Sequence, residues 1–181
     1  MANHPSLAAA APGSTAPADP PCREWYEAHG AAVYGYLRFH LASADEAEDL
    51  TADVFLRAMR AADRFDPSRG SPRNWLLRIA RNTLRDHLRR ERRRREAPLG
   101  AMYDLRCEAP SPEERLLWEE EVARLLAAVG RLGAGDREII GLRYGSGLDT
   151  AETADLLGVG QPAVRTRLWR ALARLRAALE A

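Results

Sequence analysis

The chain has 181 residues, 46% of them hydrophobic, enough for one ordinary domain or two small ones with a real core. Its formal charge is +1, which taken alone argues against a polyanionic partner, but the average hides blocks: eleven Arg against Asp86 and Glu91 from Arg69 to Arg95, a net of +9, and seven acids against three Arg from Ser43 to Asp66, a net of −4. No apolar run reaches membrane length, no basic-then-apolar segment opens the chain, and neither Cys22 and Cys107 nor the four scattered His have a zinc or redox spacing, so a cytoplasmic protein without membrane insertion, metal or cofactor is expected.

All 27 basic residues are Arg. Heavy Ala, Gly and Pro use beside them fits a G+C-rich genome, while the forked donors and flat planes of Arg also suit phosphates and bases. Residues 1–21 are Ala/Pro-rich with almost no charge or aromatic content and are expected to be a disordered tail. Helical periodicity begins near Glu24, with Trp25, Val33, Tyr36, Leu37 and Leu41 on one face. Ser43 and Glu46 have capping-box spacing for a second helix, about Ala44 to Ala62, with Leu50, Val54, Phe55 and Ala58 inward and Glu48, Asp49 and Asp53 outward. A loop punctuated by Pro and Gly, Asp63 to Pro72, follows.

The stretch Asn74 to Glu96, NWLLRIARNTLRDHLRRERRRRE, begins like a buried helix and ends like a polycation. Leu76, Ile79, Ala80, Leu84 and Leu88 form its expected inner side, and Arg78, Arg81, Arg85, Arg89 and Arg92 one basic stripe. Trp75, Ile79, Asn82 and Asp86 make a boundary row. Trp75 reads as core, facing the side of Ile79, whereas Asn is a poor residue for a helix interior. A basic stripe beside an aromatic and an amide supplies what single-stranded DNA needs: phosphate contacts, a stacking edge and a hydrogen-bonding head for a base.

Residues 97–112 contain three prolines and no clean period, and read as a linker. A second helical unit, 113–181, follows, with Ser111 and Glu114 spaced to cap its first helix and another helix starting at Asp136. Asp149 and Glu152 cap a short helix. Ala154, then Gly158 four residues on and Val164 ten residues on, have the spacing of a helix-turn-helix. Val164, Leu168, Leu172 and Leu175 form the inner stripe of its second helix. Arg165, Thr166, Arg167, Trp169 and Arg170 point elsewhere, near the end that enters a major groove, and Arg174 and Arg176 lie further along, where they touch the DNA backbone or nothing. Strand signals are lacking, so the expected fold is all-α: two small helical domains joined by a flexible linker.

Three segments together, AEDLTADVFLRAMRAADRF, WLLRIARNTLRDHLRR and DREIIGLRY with TAETADLLGVGQPAVRTRLWRAL, resemble the two domains kept by the short extracytoplasmic-function (ECF) group of sigma-70 RNA polymerase sigma factors. The resemblance covers roughly Glu24 to Ala178, with two independent motif sets in the right order across a linker. It implies sigma domain 2 at 22–96 and sigma domain 4 at 113–181. It also implies a subunit without chemistry of its own that binds core polymerase and directs promoter recognition, melting and initiation. Glu48, Asp49, Leu50, Asp53 and Phe55 match the part that docks on the clamp helices of the largest subunit. The loop Phe65 to Pro72, with Arg69, and Asn82 match the part that captures a flipped base of the minus-ten element, and Trp75 is counted among the minus-ten contacts. Arg78, Arg81, Arg85 and Arg89 would hold that strand. Arg165, Thr166, Arg167, Trp169, Arg170 and Arg174 match the helix that reads the minus-thirty-five element, and this domain would sit on the flap of the second-largest subunit. An anti-sigma factor is expected to hold such a protein inactive in trans, the sequence offering no extra C-terminal domain to do so in cis. Departures from the family pattern are Ala52 for a usual Gln, Met59 for an aromatic, Thr153 for an apolar residue, and Pro162 and Ala163 at the start of the recognition helix.

Two other classes compete. A conventional repressor or activator would use only the C-terminal unit and bind duplex tightly without polymerase. An enzyme would need a Gly-rich phosphate loop, a metal cluster or a nucleophile arrangement, and the sequence offers none.

Overall fold

A computed structural model describes residues 22–96 and 112–180, and every regular element among them is helical. Helices α1 (Cys22–Arg38), α2 (Ala44–Arg60) and α3 (Pro72–Glu96) form a first unit. Helices α4 (Pro112–Gly130), α5 (Ala134–Ile140), α6 (Thr150–Leu157) and α7 (Gln161–Glu180) form a second, with a π turn at Gly141–Gly145 continuing α5. The expected tail 1–21, the linker up to residue 111 and the expected cap Ser111 lie outside the described residues.

Local chemistry sets the helix starts. Ser43 caps α2 by accepting from the Glu46 N–H at 3.4 Å. The return half of that expected box does not form, because the Glu46 carboxylate lies 2.6 Å from His87 Nε2 on α3. Ser71 Oγ accepts from the Asn74 N–H at 3.2 Å, with Pro72 in the first position of α3. Asp149 and Glu152 make the full reciprocal box at the start of α6, both bonds 2.8 Å long.

The first core follows the predicted periodicity: Trp25, Val33, Tyr36, Leu37 and Leu41 of α1 and its end meet Leu50, Val54, Phe55 and Ala58 of α2 and Leu76, Leu77, Ala80 and Leu84 of α3. Leu88, expected inward, is 46% exposed. His87 already pairs with Glu46 in the first turn of α2, so Leu88 lies past the end of the helix that would cover it. Thr83 and Leu77 fill inner positions that the sequence reading had not assigned to them.

The two units are packed together, which the picture of tethered domains did not anticipate. Leu142, Leu148 and Leu156 of the second unit are buried in the first core, and Phe39 packs on the second. Each such leucine is worth roughly 1.5–3 kcal/mol relative to full exposure. Glycines make the approach possible. A Cβ on Gly35 of α1 would overlap the carbonyl of Gly145, and one on Gly145 would overlap the carbonyl of Gly35. Burial pushes the Tyr36 phenol above its usual range at this seam, with the nearby Glu138 charge acting in the same direction.

Candidate nucleic-acid interface

A pocket of about 400 Å³ opens where the loop after α2 meets the start of α3, within the size range of roughly 300–1,000 Å³ usual for ligand sites. Phe65, Arg69, Asn74, Trp75 and Arg78 line it. Its aromatic wall is built inward: Trp25 lies 5.1 Å from Phe65 and 5.4 Å from Trp75, both edge-on. Trp75 is thus half core and half wall. The loop is held by Asp66, whose carboxylate accepts from the Ser68 N–H at 2.9 Å and from Ser68 Oγ at 2.7 Å. These bonds, with the Arg69 charge, hold that carboxyl below its usual range.

Asn74 is the residue sequence reasoning missed. Its Oδ1 is buried and has no hydrogen-bond partner among the described residues, a costly state for a neutral amide unless water or a ligand completes it. The available signal was an amide in the first turn of the helix, beside Trp75 and just after the Ser-Pro start. Asn82, the amide singled out from sequence, is exposed one turn beyond Arg78 and is not part of the pocket lining.

The predicted basic stripe splits. Arg85 and Arg89 are exposed, Arg89 pairing with Asp86 at 3.0 Å. Arg78 and Arg81 are instead engaged by the second unit: Arg78 Nη2 lies 3.2 Å from Asp155 Oδ2, and Arg81 Nε 2.7 Å from Glu138 Oε1.

The helix-turn-helix has the predicted arithmetic. Ala154 is buried where α6 meets α7, Gly158 ends α6 in the left-handed region (φ 68°), and Val164 anchors α7. Thr153, a departure from the family pattern, is fully buried and donates its hydroxyl to the Asp149 carbonyl at 2.6 Å, so the polar group is satisfied. Ala171, not Leu172, is the fully buried residue in the middle of α7; Leu168 and Leu172 are half-buried. Arg165, Thr166, Arg167, Trp169 and Arg170 are all exposed on one end of α7, Trp169 at 72%. Such a face offers guanidinium forks and an aromatic plane to a groove. Arg174 is tied to Asp136 of α5 at 2.6 Å.

On α2, Glu48 and Asp49 are exposed, and Asp53 is paired with Arg57 at 3.0 Å. That hydrogen bond raises the Arg57 guanidinium further above its ordinary range. Leu50 and Phe55, named with them from the resemblance, are each 7% exposed and belong to the core. The apolar residues this helix does present are Leu56 and Met59, both about half exposed.

Comparison with known proteins identifies the chain's relatives. The family profile described as Sigma-70 region 2 matches residues 25–94, and the one described as Sigma-70, region 4 matches residues 123–175. The ECF RNA polymerase sigma factor BldN of Streptomyces coelicolor is 37% identical over 150 residues, 83% of this chain and 57% of that protein. The RNA polymerase sigma factor CnrH of Cupriavidus metallidurans is 37% identical over 161 residues, 84% of this chain and 83% of that protein. The structure of CnrH in complex with the cytosolic domain of CnrY superposes with a TM-score of 0.65 at 30% identity, over 88% of this chain and 87% of that one. The sigma factor RpoE of Bartonella quintana, solved with the anti-sigma factor NepR, shares the fold with a TM-score of 0.67 at 21% identity, over 88% and 96% of the two chains. Two matched regions in order, an aromatic-walled pocket on the first and a helix-turn-helix in the second place the chain in the sigma-70 family of RNA polymerase sigma factors, in its ECF group.

Proposed function

We propose that this chain is a dissociable promoter-specificity subunit, without chemistry of its own, and that its surfaces divide the work as follows. The outer face of α2, with Glu48, Asp49, Asp53, Leu56 and Met59, docks on the clamp helices of the polymerase largest subunit, while the second unit rests on the flap of the second-largest. The pocket between Phe65 and Arg78 takes one flipped base of the melted minus-ten strand, Trp75 and Phe65 giving it a stacking wall and Asn74 a hydrogen-bonding head. Arg69, Arg78, Arg81, Arg85 and Arg89, with Asn82, hold the strand around it. The exposed end of α7 reads the minus-thirty-five duplex through Arg165, Thr166, Arg167, Trp169 and Arg170, with Arg174 behind it.

The observation that carries this reading is the pocket itself: an aromatic wall, arginine sides and one buried amide oxygen without a partner among the described residues, inside the stretch 25–94 that the Sigma-70 region 2 profile matches. Unstacking a base costs a few kcal/mol, more than one small domain recovers alone, so polymerase supplies part of the affinity. An anti-sigma partner belongs to the same reading; the relative CnrH was solved with the cytosolic domain of CnrY bound.

The test is transcription in vitro from fragmented host DNA by purified core polymerase, with and without the chain. New discrete start sites are expected, lost on Asn74→Ala, Asn82→Ala or Arg170→Ala. No new starts with a chain shown to bind core polymerase would sink the reading in favour of an ordinary duplex-binding regulator.

A further inference from the structure

A second pocket, of about 360 Å³, opens on the outside of the first unit between α1 and α2, away from the Phe65–Trp75 wall. Tyr26, Gly30 and Tyr34 follow one another a turn apart on one face of α1 and line one side of it. Ala31, with Glu48 and Ala52 of α2, lines the rest. The Tyr26 ring is 57% exposed, although it packs edge-on against Phe55 with the centroids 5.0 Å apart. A Cβ on Gly30 would rest on that ring at 3.7 Å, so the glycine leaves the ring uncovered. Ala52 stands where the family pattern has Gln, and its short side chain keeps the α2 side of the pocket open as well.

Two aromatic walls beside a carboxylate suit a cation. Ring faces are electron-rich and attract positive charge. Glu48 is exposed and makes no ion pair or hydrogen bond among the described residues, whereas Asp53 further along α2 is already held by Arg57. No basic residue is among the described residues that line the pocket. A guanidinium fits this set better than an ammonium: it is flat, weakly hydrated and forked, so it stacks on a ring while it bonds a carboxylate.

The pocket also continues into a neighbouring surface. Glu48, Ala52, Leu56 and Met59 succeed one another at helical spacing along α2, and all four are exposed. The pocket floor at Ala52 therefore runs into the two exposed apolar residues of the docking face. A helix seated on Leu56 and Met59 would bring one of its side chains over Ala52 and Glu48. Tyrosine and arginine are the residue types that most often dominate such contacts.

We propose that this pocket receives one arginine side chain of the clamp helices of the polymerase largest subunit, stacked on Tyr26 and Tyr34 and bonded to Glu48, and that this contact is a main determinant of the chain's affinity for core polymerase. The proposal rests on the reading of the α2 outer face as the docking face, and the test keeps the two apart.

The test is a titration of the full chain against purified core polymerase at low and high salt. Tyr26→Leu removes a ring and keeps apolar bulk. Ala31→Leu fills the pocket from an exposed position with a good helix former. Glu48→Gln removes the charge with little change of shape. Each is expected to lower affinity about tenfold, the scale of a cation held on an aromatic face away from water. Tyr26→Phe, which keeps the ring, should recover affinity to within about twofold. Glu48→Gln should also flatten the salt dependence. Tyr26→Leu combined with Glu48→Gln should lose far less than the product of the two single losses, because both act on one occupant. Core polymerase with its clamp-helix arginines replaced by Ala one at a time identifies that occupant: one replacement should weaken binding of the unsubstituted chain and make it indifferent to Tyr26→Leu.

Normal binding by both Tyr26→Leu and Ala31→Leu, with weak binding by Leu56→Glu, would overturn the pocket and leave the docking face standing. Normal binding by Leu56→Glu as well would remove the docking face and the pocket with it. Losses at Tyr26 that multiply independently with those at Glu48 and couple to no clamp-helix arginine would overturn the arginine assignment. Should Tyr26→Leu fail to fold through its contact with Phe55, Ala31→Leu and Glu48→Gln decide, since both positions are exposed.

Discussion

Phe65 and Trp75 stand 5.5 Å apart with their rings tilted by 60°, and both lean on Trp25 from the solvent side. The two rings come from different elements, a loop and a helix, so the pocket between them exists only when the first core is assembled. Trp75→Ala is therefore expected to act twice. It weakens the core, visible as a lower melting temperature, and it removes a stacking surface worth about 1–3 kcal/mol per base. Trp75→Phe separates the effects: stability should largely return, and promoter opening, followed by permanganate reactivity of unpaired thymines, should return in part. Full opening by Trp75→Ala would show that no base stacks there.

Leu56 and Met59 make a different prediction from their neighbours Leu50 and Phe55. The first pair is about half exposed and the second is core. Leu56→Glu should leave stability within roughly 0.5 kcal/mol, as for most exposed positions, yet lower affinity for core polymerase about tenfold or more, the cost of one lost apolar anchor. Phe55→Ala should do the reverse, costing about 3–5 kcal/mol of stability through the cavity it leaves. Equilibrium unfolding and a core-binding titration on the same samples check both. If Leu56→Glu binds core polymerase normally, the docking face lies elsewhere.

The seven helices were legible because their signals are local: 3.6-residue periodicity from Trp25 to Leu41, the Asp149–Glu152 box, the Ala154–Gly158–Val164 spacing. The exposed end of α7 was legible for the same reason, whereas Phe65, Arg69 and Trp75 were named through motif resemblance alone and Trp75 read as core. What was not legible depends on contacts distant in sequence. Glu46 looks like half of a capping box until His87, on another helix, takes its carboxylate. Asn74 and Asn82 are both amides on one helix, and only the position of the loop decides which faces a pocket. Arg78 and Arg81 look like any other members of a basic stripe until Asp155 and Glu138 are found against them. The Gly35–Gly145 seam carries no signal at all in one sequence, since a glycine in a helix reads as a mild defect rather than an interface.

Arg170 and Arg174 lie one turn apart on α7 but differ in company. Both are exposed, but Arg174 is also held by Asp136. Arg170→Ala should weaken binding to the minus-thirty-five duplex by about 1–3 kcal/mol and relax preference at one base position. Arg174→Ala should alter stability by less than about 1 kcal/mol, as expected for an ion pair with one exposed partner, and change affinity evenly across sequences. A randomised-duplex selection with each variant distinguishes them; a changed base preference in Arg174→Ala would put that side chain in the groove.

Gly158 and Asp149 hold the two ends of α6. Gly158 has φ 68° and its N–H returns to the Ala154 carbonyl, a conformation that a Cβ disfavours. Gly158→Ala should cost about 1 kcal/mol or slightly more, and Asp149→Ala about 0.5–2 kcal/mol for the lost cap. Because Leu156 on this helix packs in the first core, the loss should appear in the global unfolding transition rather than as local fraying of the second unit. Two separated transitions in Asp149→Ala would contradict that coupling.

His40 sits at the seam between the units, its Nδ1 2.8 Å from the Tyr36 carbonyl and its ring against Gly141. Burial pulls its pKa below the ordinary 6.5, Arg137 adds to the shift, and the Tyr36 bond and Glu138 oppose it. His29 is shifted the same way, by burial and then by Arg73. The sign follows from the unfolded chain taking up a proton near pH 6.5 while the folded chain resists it until lower pH. Nothing is lost above about pH 7, and stability declines as pH falls through 6.5, with a slope of at most about 1.4 kcal/mol per pH unit for each group. Urea midpoints measured between pH 7.5 and 5.5 should fall, and fall less in His40→Gln, which keeps an amide near the Tyr36 carbonyl and removes the titration. Identical pH dependence in the two proteins would mean that His40 is protonated as easily in the folded chain as in the unfolded one.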